Sequence, residues 1–130
     1  MAGFSDYLED KVLEHVFGGN AYTAPTTLYV ALYTVAPSDT GGGTEVSGGS
    51  YARQTAAFTV SGTNPTTASN TGAIEYPTAT ANYGTVTSVG IFDASSSGNL
   101  LAYANLTTSK VVSTGDVFRF NAGDLDVTLA

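Results

Sequence analysis

The sequence predicts a mainly β protein, an antiparallel β-sandwich of jelly-roll or Greek-key type with one N-terminal α-helix. Apolar residues recur at helical spacing only before residue 18, and between residues 26 and 129 they alternate with a period of two. Turn residues separate most of the alternating segments. A β-barrel is the alternative architecture. We expect residues 1–19 to form the helical segment and residues 20–130 the sandwich, within a single domain.

Both ends of the helix are marked in the sequence. The pattern predicts a helix over residues 4–17 that stops at Gly18-Gly19. Asp6 followed three residues later by Glu9 fits a capping box, and Ser5 is an alternative N-cap. Acidic residues in the first turn also suit the positive end of the helix dipole.

One face of this helix is apolar. Its stripe consists of Leu8, Val12 and Val16, widened by Leu13 and Phe17. Such a stripe normally covers the core of its own domain, and this is the interpretation that we adopt. Packing on a neighbouring subunit is the alternative. A helix of about 13 residues is only marginally stable alone, so we expect it to be ordered only where it packs.

The first predicted strand, residues 26–34, has the composition of a central strand. Its two faces carry Leu28, Val30 and Leu32 on one side and Tyr29, Ala31 and Tyr33 on the other. Residues 37–49 then form a glycine-rich loop, which we expect to be flexible unless a partner orders it.

The remaining strands follow at short intervals. They are predicted at residues 51–54, 56–60, 73–76, 86–92, 100–106, 110–112, 117–120 and 125–129. Residues 95–99 and 121–123 are predicted to be hairpin connections. The inward-facing positions that we expect in the core are Leu28, Val30, Leu32, Ile91, Phe118 and Phe120.

Composition limits the class of protein. A chain of 130 residues with 42% hydrophobic residues, including eight Tyr and six Phe, can fill one core. The absence of cysteine excludes disulfides and thiolate chemistry. The sequence shows neither an apolar run long enough to span a membrane nor a signal peptide. We therefore expect a protein made in a cytoplasm that does not act in a membrane.

The charge pattern argues against nucleic acid as a partner. Only 12% of residues are charged, and the net charge is −7. The four cations, Lys11, Arg53, Lys110 and Arg119, are scattered along the chain. Binding to a phosphate backbone needs clustered cations that replace counterions.

No pattern in the sequence predicts catalysis. His15 is the only histidine, and its place on the helix favours a surface or packing role. Ser50 is not flanked by the glycines of a nucleophile elbow. Gly41-Gly42-Gly43 has neither the lysine nor the following helix of a phosphate-binding loop. We therefore expect no catalytic residues, no cofactor-binding residues and no enzyme activity.

Three acidic residues near the C-terminus are candidates for an ion site. Asp124 and Asp126 lie two apart in a predicted strand, and Asp116 lies in the turn region before it, so their oxygens could meet at a calcium ion. Acids near strand ends more commonly face solvent and oppose aggregation of sheet edges. We therefore predict no metal ligands.

Four segments resemble a known family. They are residues 4–19, residues 22–32, Gly49-Ser50-Tyr51-Ala52-Arg53, and residues 85–93. In matching order and over nearly the whole chain, they are similar to a family of small tailed-bacteriophage virion proteins, often labelled phage tail fibre proteins. Similar small β-sandwich proteins serve as capsid decoration, or cement, proteins. The family pattern carries no catalytic residues.

The resemblance implies a non-enzymatic virion structural protein. Our main expectation is a capsid decoration protein on the capsid surface, made in the host bacterial cytoplasm, with the major capsid protein and itself as partners. Tyr29, Tyr33 and Tyr51 are candidate aromatic anchors. We expect a homotrimer, because closed symmetry suits a sandwich with open sheet edges.

The alternative is a tail fibre or baseplate component that binds a receptor or carbohydrate, with exposed tyrosines stacking on sugar rings. The chain shows no shaft or fibrous repeat of its own, which favours the capsid. We expect neither nucleic acid nor a membrane as a partner.

Overall fold

The computed structural model describes residues 2–129 and is built almost entirely of antiparallel strands. One helix, α1, spans Asp6–Val16. The strands are β1 Ala2–Phe4, β2 Leu28–Val35, β3 Thr44–Glu45, β4 Gln54–Ala56, β5 Phe58–Ser61, β6 Thr66–Asn70, β7 Ile74–Glu75, β8 Gly84–Phe92, β9 Leu100–Val112, β10 Arg119–Phe120 and β11 Asp126–Leu129. The predicted fold class, mainly β and antiparallel with one helix near the N-terminus, is confirmed.

The strands form three sheets. The largest has six strands in the order β1-β9-β8-β2-β3, and β4 also pairs with β2, beside the beginning of that strand. A three-stranded sheet has the order β11-β6-β5, and β10 pairs with β7. Side chains from all three sheets meet in one main core. The arrangement is therefore sandwich-like, with the six-stranded sheet forming one layer; the choice between jelly-roll and Greek-key order stays a prediction.

The predicted core residues lie where expected. Val30 and Leu32 are fully buried, and Ile91, Phe118 and Phe120 are buried as well, whereas Leu28 is partly buried against them. Phe118 and Phe120 contact each other edge to face at 5.1 Å between ring centroids. Alternation with a period of two predicted these positions because one face of each strand points inward.

The helix begins two residues later than predicted. Phe4 belongs to β1, which pairs with Ala102–Ala104 of β9. Ser5 is the N-cap, and its Oγ accepts a hydrogen bond from the Leu8 backbone N–H at 3.2 Å. Asp6 is the first helical residue, so the capping box built on Asp6 is wrong and the alternative cap is confirmed.

Several strand predictions need correction. Residues 100–106 and 110–112 form one continuous strand, β9, because β8 pairs along both parts around an irregularity in register. The strands β1, β3 and β6 were not predicted, and of the strand predicted at residues 51–54 only Gln54 lies in a strand, β4. Residues 95–99 do connect a hairpin, between β8 and β9. Residues 121–123 do not, because β10 pairs with β7 and β11 pairs with β6, so this turn leads from one sheet to another.

The glycine-rich loop is more structured than expected. Residues 38–41 form a tight turn with reciprocal backbone hydrogen bonds between Ser38 and Gly41. After it, β3 pairs with the end of β2. Gly43 has φ +73°, and a Cβ there would lie 2.6 Å from the Val35 carbonyl oxygen, so only glycine fits this bend. The chain returns to the sheet through this segment.

The helix covers only part of the sheet. It packs on β9 and β1, with Leu8 and Val12 partly buried, and none of its residues is buried. Leu13, Val16 and Phe17 are 59%, 61% and 83% exposed. The expectation that the whole stripe seals the domain's own core is therefore wrong for the second half of the helix. Among residues 2–129, no helical segment has the length and apolar character needed to cross a bilayer.

Candidate functional site

The outer face of the six-stranded sheet carries a second cluster of aromatic residues. Ala31, Tyr33, Phe92 and Leu100 are buried there, with Tyr29 and Tyr103 packed partly exposed at the margin. The Tyr33 and Phe92 rings stack at 6.5 Å between centroids. Gly90 allows this approach, since a Cβ at that position would lie about 3 Å from Leu100 and Tyr33 atoms.

Arg53 is fixed above this cluster by contacts on several sides. Its Nε and Nη2 donate to the two carboxylate oxygens of Glu45, each at 2.9 Å. Its Nη1 donates to the carbonyls of Ala94 and Ser97 at 3.0 and 2.9 Å. The guanidinium lies 3.7 Å from the centroid of the Phe92 ring. The Arg53 side chain is only 7% exposed and that of Glu45 27%, so the pair is partly shielded from water.

Burial and hydrogen bonding shift the ionisation of this group. Burial would raise the pKa of the Glu45 carboxyl, but the hydrogen bonds from Arg53 and Tyr51 and the Arg53 charge lower the pKa below its usual value. The hydrogen bond to Glu45 raises the pKa of Arg53 further. Burial, together with the charge of Glu45, raises the pKa of Tyr33 to about 12. The pair is therefore charged and the phenol neutral at neutral pH.

A cleft opens beside this group, which we call the polar cleft. Its volume is about 650 Å³. Its walls are residues 5–7 at the start of the helix, residues 39–43 of the glycine-rich loop, and residues 97–99 of the β8–β9 hairpin. The other lining residues are Tyr33, Glu45, Arg53, Phe92 and Leu100. The Asp39 carboxylate at its rim accepts a hydrogen bond from the Tyr103 hydroxyl. Asn99 donates to Asp93 at 2.9 Å.

The polar cleft is lined by carboxylate, amide, guanidinium and aromatic side chains. These groups include both donors and acceptors of hydrogen bonds. Within residues 2–129, no three His, Cys, Asp or Glu side chains come together in a way that could hold a metal ion.

The three tyrosines predicted as surface anchors do not lie on one exposed surface. Tyr33 is 4% exposed, in the outer aromatic cluster. Tyr51 is partly buried against the main core, stacks on Tyr76 at 6.0 Å, and donates its hydroxyl to Glu45 at 2.7 Å. Tyr29 is partly exposed. Tyr33 and Tyr51 are therefore not exposed anchors, although Tyr33 lines the polar cleft. Whether any of the three tyrosines contacts a partner stays a prediction.

The residues considered for catalysis have separate, local partners. The His15 Nδ1 accepts the Tyr22 backbone N–H at 3.1 Å, where the chain folds back after the helix. The Ser50 Oγ donates to the Thr78 carbonyl at 2.6 Å. Residues 41–43 lie at the end of the tight turn and just after it, in the wall of the polar cleft.

The three aspartates weighed as an ion site each support a turn or a strand. The Asp116 and Asp124 carboxylates accept backbone N–H groups three residues earlier, from Ser113 and Asn121, at 2.9 Å each. Asp126 accepts the Ser69 hydroxyl across β11 and β6. Asp124 precedes β11, so it does not share a strand with Asp126 as predicted.

A second concavity, the apolar groove, lies where the helix, the two larger sheets and the chain entering β2 meet. Its volume is about 690 Å³. Apolar side chains dominate its lining, including Phe4, Leu8, Phe58, Val60 and Val127, and no charged residue contributes to it. Val60 is 68% exposed at its edge. Apolar surface of this kind commonly marks an interaction site.

The sequence reasoning did not predict the link between Glu45 and Arg53. The two residues lie eight apart, one in the glycine-rich loop and one in a short predicted strand. Two features of the sequence could have suggested the pair. Arg53 is one of only four cations in a chain rich in polar uncharged residues, and it lies two residues after Tyr51.

The chain matches a known protein family over nearly its whole length. The family described as "Podophage GP4 fiber I protein gp80" matches residues 3–128. A search of curated proteins found no match to the chain.

Proposed function

Because the chain belongs to the podophage GP4 fiber I protein gp80 family, we propose that it is a tail fibre component of a virion. The match covers both sheet layers, the helix and both concavities, so the family assignment applies to the whole fold. The family is one of bacteriophage fibre-type structural proteins. The resemblance predicted from the sequence is confirmed at this level.

The family description favours the second of our two sequence-based expectations. Capsid decoration was the main one, and a tail fibre the alternative; the family is described as a fiber protein. The arguments for the capsid were the lack of a visible shaft and the preference for closed symmetry. A compact module can equally form one part of a fibre that other chains complete.

In this role the polar cleft would contact the receptor. A fibre acts by binding, and the cleft presents polar groups whose positions are fixed. Arg53 is held by the Glu45 carboxylate and two carbonyls, so its side chain loses little further conformational entropy when a ligand binds. The carboxylate and amide groups of the cleft suit the hydroxyl groups of a saccharide, and its aromatic rings suit the apolar faces. The aromatic contacts would come from the cleft rather than from exposed tyrosines.

Labelling the protein on intact virions tests the location. Phage particles carrying a tagged copy of the chain are incubated with gold-labelled antibody to the tag and imaged by electron microscopy. We expect label confined to the tail. A shell of label around the head would overturn the fibre proposal and support capsid decoration, and phage without the tag controls for unspecific label.

A further inference from the structure

The helix turns one face to solvent, which we call the outer helix face. All of its residues are exposed, and they are Glu9, Asp10, Leu13, Glu14, Val16 and Phe17. Residues three and four apart are neighbours on a helix surface, so Leu13 lies beside Glu9 and Asp10. By the same spacing, Phe17 lies beside Glu14. Large apolar side chains and carboxylates are therefore interspersed on one surface.

The backbone that carries this face is held in place. The Asn20 backbone N–H donates to the Glu14 carbonyl at 3.0 Å and closes the last turn. Just after it, the Tyr22 N–H donates to the His15 Nδ1, and the Tyr22 ring meets the Tyr7 ring edge to face at 6.4 Å. The exposed apolar side chains thus project from a fixed helical backbone, which loses little further conformational entropy when a partner binds.

The carboxylates of the outer helix face lack a cation of their own. Both ion pairs found within residues 2–129 lie outside the helix. Lys11, the cation of the helix, is partly buried and lies 5.6 Å from the centroid of the Tyr7 ring. The Glu14 carboxylate accepts a hydrogen bond from the Asn20 side-chain amide, which is neutral. The negative charge of this face is therefore not balanced by the described part of the chain.

This negative charge limits the kinds of partner that fit. Nucleic acids and anionic lipid surfaces are negatively charged themselves and are repelled. A second copy of the chain offers no basic surface, because three of its four cations, Lys11, Arg53 and Arg119, already contact a ring or a carboxylate of their own chain. That leaves Lys110, a single lysine. The partner with complementary charge is a different protein.

We propose that the outer helix face binds a basic and partly apolar surface of another virion protein. Burial of Leu13 and Phe17 supplies affinity, and the carboxylates around them pair with lysine and arginine side chains of the partner. The contact explains why the helix is both apolar and acidic beyond the sheet that it covers. It rests on the proposed function only in taking the chain to be a virion component. None of its residues lines the polar cleft, so both surfaces can be occupied together.

Incorporation into virions tests the apolar part of this contact. Phage that lack the gene are grown in hosts that supply a tagged chain, and copies per particle are counted by quantitative immunoblot. Leu13→Ala combined with Phe17→Ala shortens two exposed side chains, and alanine favours the helix. Val111→Ala combined with Val117→Ala is the matched control, because both valines are exposed and lie outside the helix. We expect at least about tenfold fewer copies of the helix variant and unchanged incorporation of the control.

A second pair of variants tests the charge of the partner. Glu9→Gln combined with Asp10→Asn removes two carboxylates from the outer helix face. Thr107→Lys combined with Thr108→Lys adds two cations at exposed positions on β9, so each variant raises the net charge by two, from −7 to −5. We expect at least about threefold fewer copies of the helix variant per particle, and the wild-type number for the control. Equal numbers for the two variants would overturn a basic partner.

A photo-crosslink identifies the surface that the helix contacts. Phe17 is replaced by p-benzoylphenylalanine, which keeps an aromatic ring at this exposed position, and the particles are irradiated and analysed by mass spectrometry. We expect cross-links to a segment of another virion protein with a positive net charge. Cross-links to this chain itself or to an acidic segment would overturn the proposal, as would the absence of cross-links.

These outcomes separate the contact from the proposed function. Absence of the wild-type chain from particles would contradict its place in the virion. Equal incorporation of the wild-type chain and the helix variants would retain that place and overturn the helix contact alone. The purified variants should keep the circular dichroism spectrum and melting temperature of the wild type, which shows that a loss of incorporation reflects a lost contact and not a lost fold.

Discussion

At the residue scale, the two ion pairs found among residues 2–129 differ in their surroundings. The Arg53 side chain is 7% exposed and that of Glu45 27%, whereas Arg119 and Glu75 are 50% and 56% exposed at a similar distance of 3.0 Å. Water screens the first pair less than the second, so removal of one partner should cost more stability in the first pair. The sequence gives no sign of this difference, since pairing and burial both depend on distant strands.

Replacement of Glu45 tests the buried pair. Glu45→Gln leaves Arg53 buried without its counter-charge, and we expect a loss of about 3 kcal/mol in the free energy of unfolding at neutral pH. Glu75→Gln is the matched control, with an expected loss below about 1 kcal/mol. Urea denaturation at pH 7 measures both. Equal losses in the two variants would show that the Glu45 pair contributes no more than a surface pair.

The contribution of Glu45 to the free energy of unfolding should depend on pH. The pKa of Glu45 is lowered below 4.5 in the folded chain, so the unfolded state binds the proton more readily. The stabilisation is therefore complete above the ordinary glutamate pKa and is lost as the pH falls through the lowered value. We expect the difference in stability between wild type and Glu45→Gln to shrink below about pH 4. A constant difference down to pH 2 would contradict this assignment.

At the element scale, the helix depends on one buried serine. Ser5 is 1% exposed; its Oγ accepts the Leu8 N–H and donates to the Leu100 carbonyl at the start of β9. Its backbone N–H donates to the Leu101 carbonyl at 2.8 Å. Ser5 thus starts the helix and joins it to the sheet. The sequence included Ser5 as a possible cap, but it could not show the contact with β9, which lies 95 residues later in the chain.

Replacement of this serine by alanine removes the cap and the link to β9. For Ser5→Ala we expect a loss of about 1–2 kcal/mol in the free energy of unfolding and faster hydrogen exchange of the helix amides. Ser96→Ala, in the exposed turn between β8 and β9, should change stability by less than about 0.5 kcal/mol. Urea denaturation and hydrogen exchange measure the two effects. An unchanged exchange rate in the helix would mean that packing alone holds it.

Strand predictions succeeded where alternation was long. β2 and β8 were placed within two residues of their bounds, because each has several alternating apolar residues. The short strands β1 and β3 and the polar strand β6 were missed, since Ala2–Phe4, Thr44–Glu45 and Thr66–Asn70 are too short or too polar to show an alternating pattern. Their strand form depends on pairing with β9, β2, β5 and β11, which sequence periodicity does not encode.

At the scale of the whole molecule, the fold separates two kinds of surface. The polar cleft lies over the outer aromatic cluster, between the start of the helix and two turns. The apolar groove opens between the two larger sheets, beside Leu8 on the helix. Composition predicted a protein that binds and does not catalyse, but it could not place either site. Both arise where segments far apart in the chain meet. The exposure of Leu13, Val16 and Phe17 likewise depends on how far the sheet extends beneath the helix, which the sequence pattern does not show.

Deletion of the gene for this chain from a phage tests its role in the virion. If the chain is a fibre component that contacts the receptor, particles that lack it should keep the thermal resistance of their heads but adsorb poorly to host cells. Complementation with the wild-type chain should restore adsorption.

Thr40→Trp, which places a large side chain at the rim of the polar cleft, should restore incorporation into the particle but not adsorption. Thr85→Trp, at an exposed position on β8 outside the cleft, is the control and should restore both. Full adsorption by the deletion phage, together with heads that release DNA at a lower temperature, would instead identify a capsid decoration protein. Full adsorption with Thr40→Trp would retain the fibre role but remove the polar cleft from receptor binding.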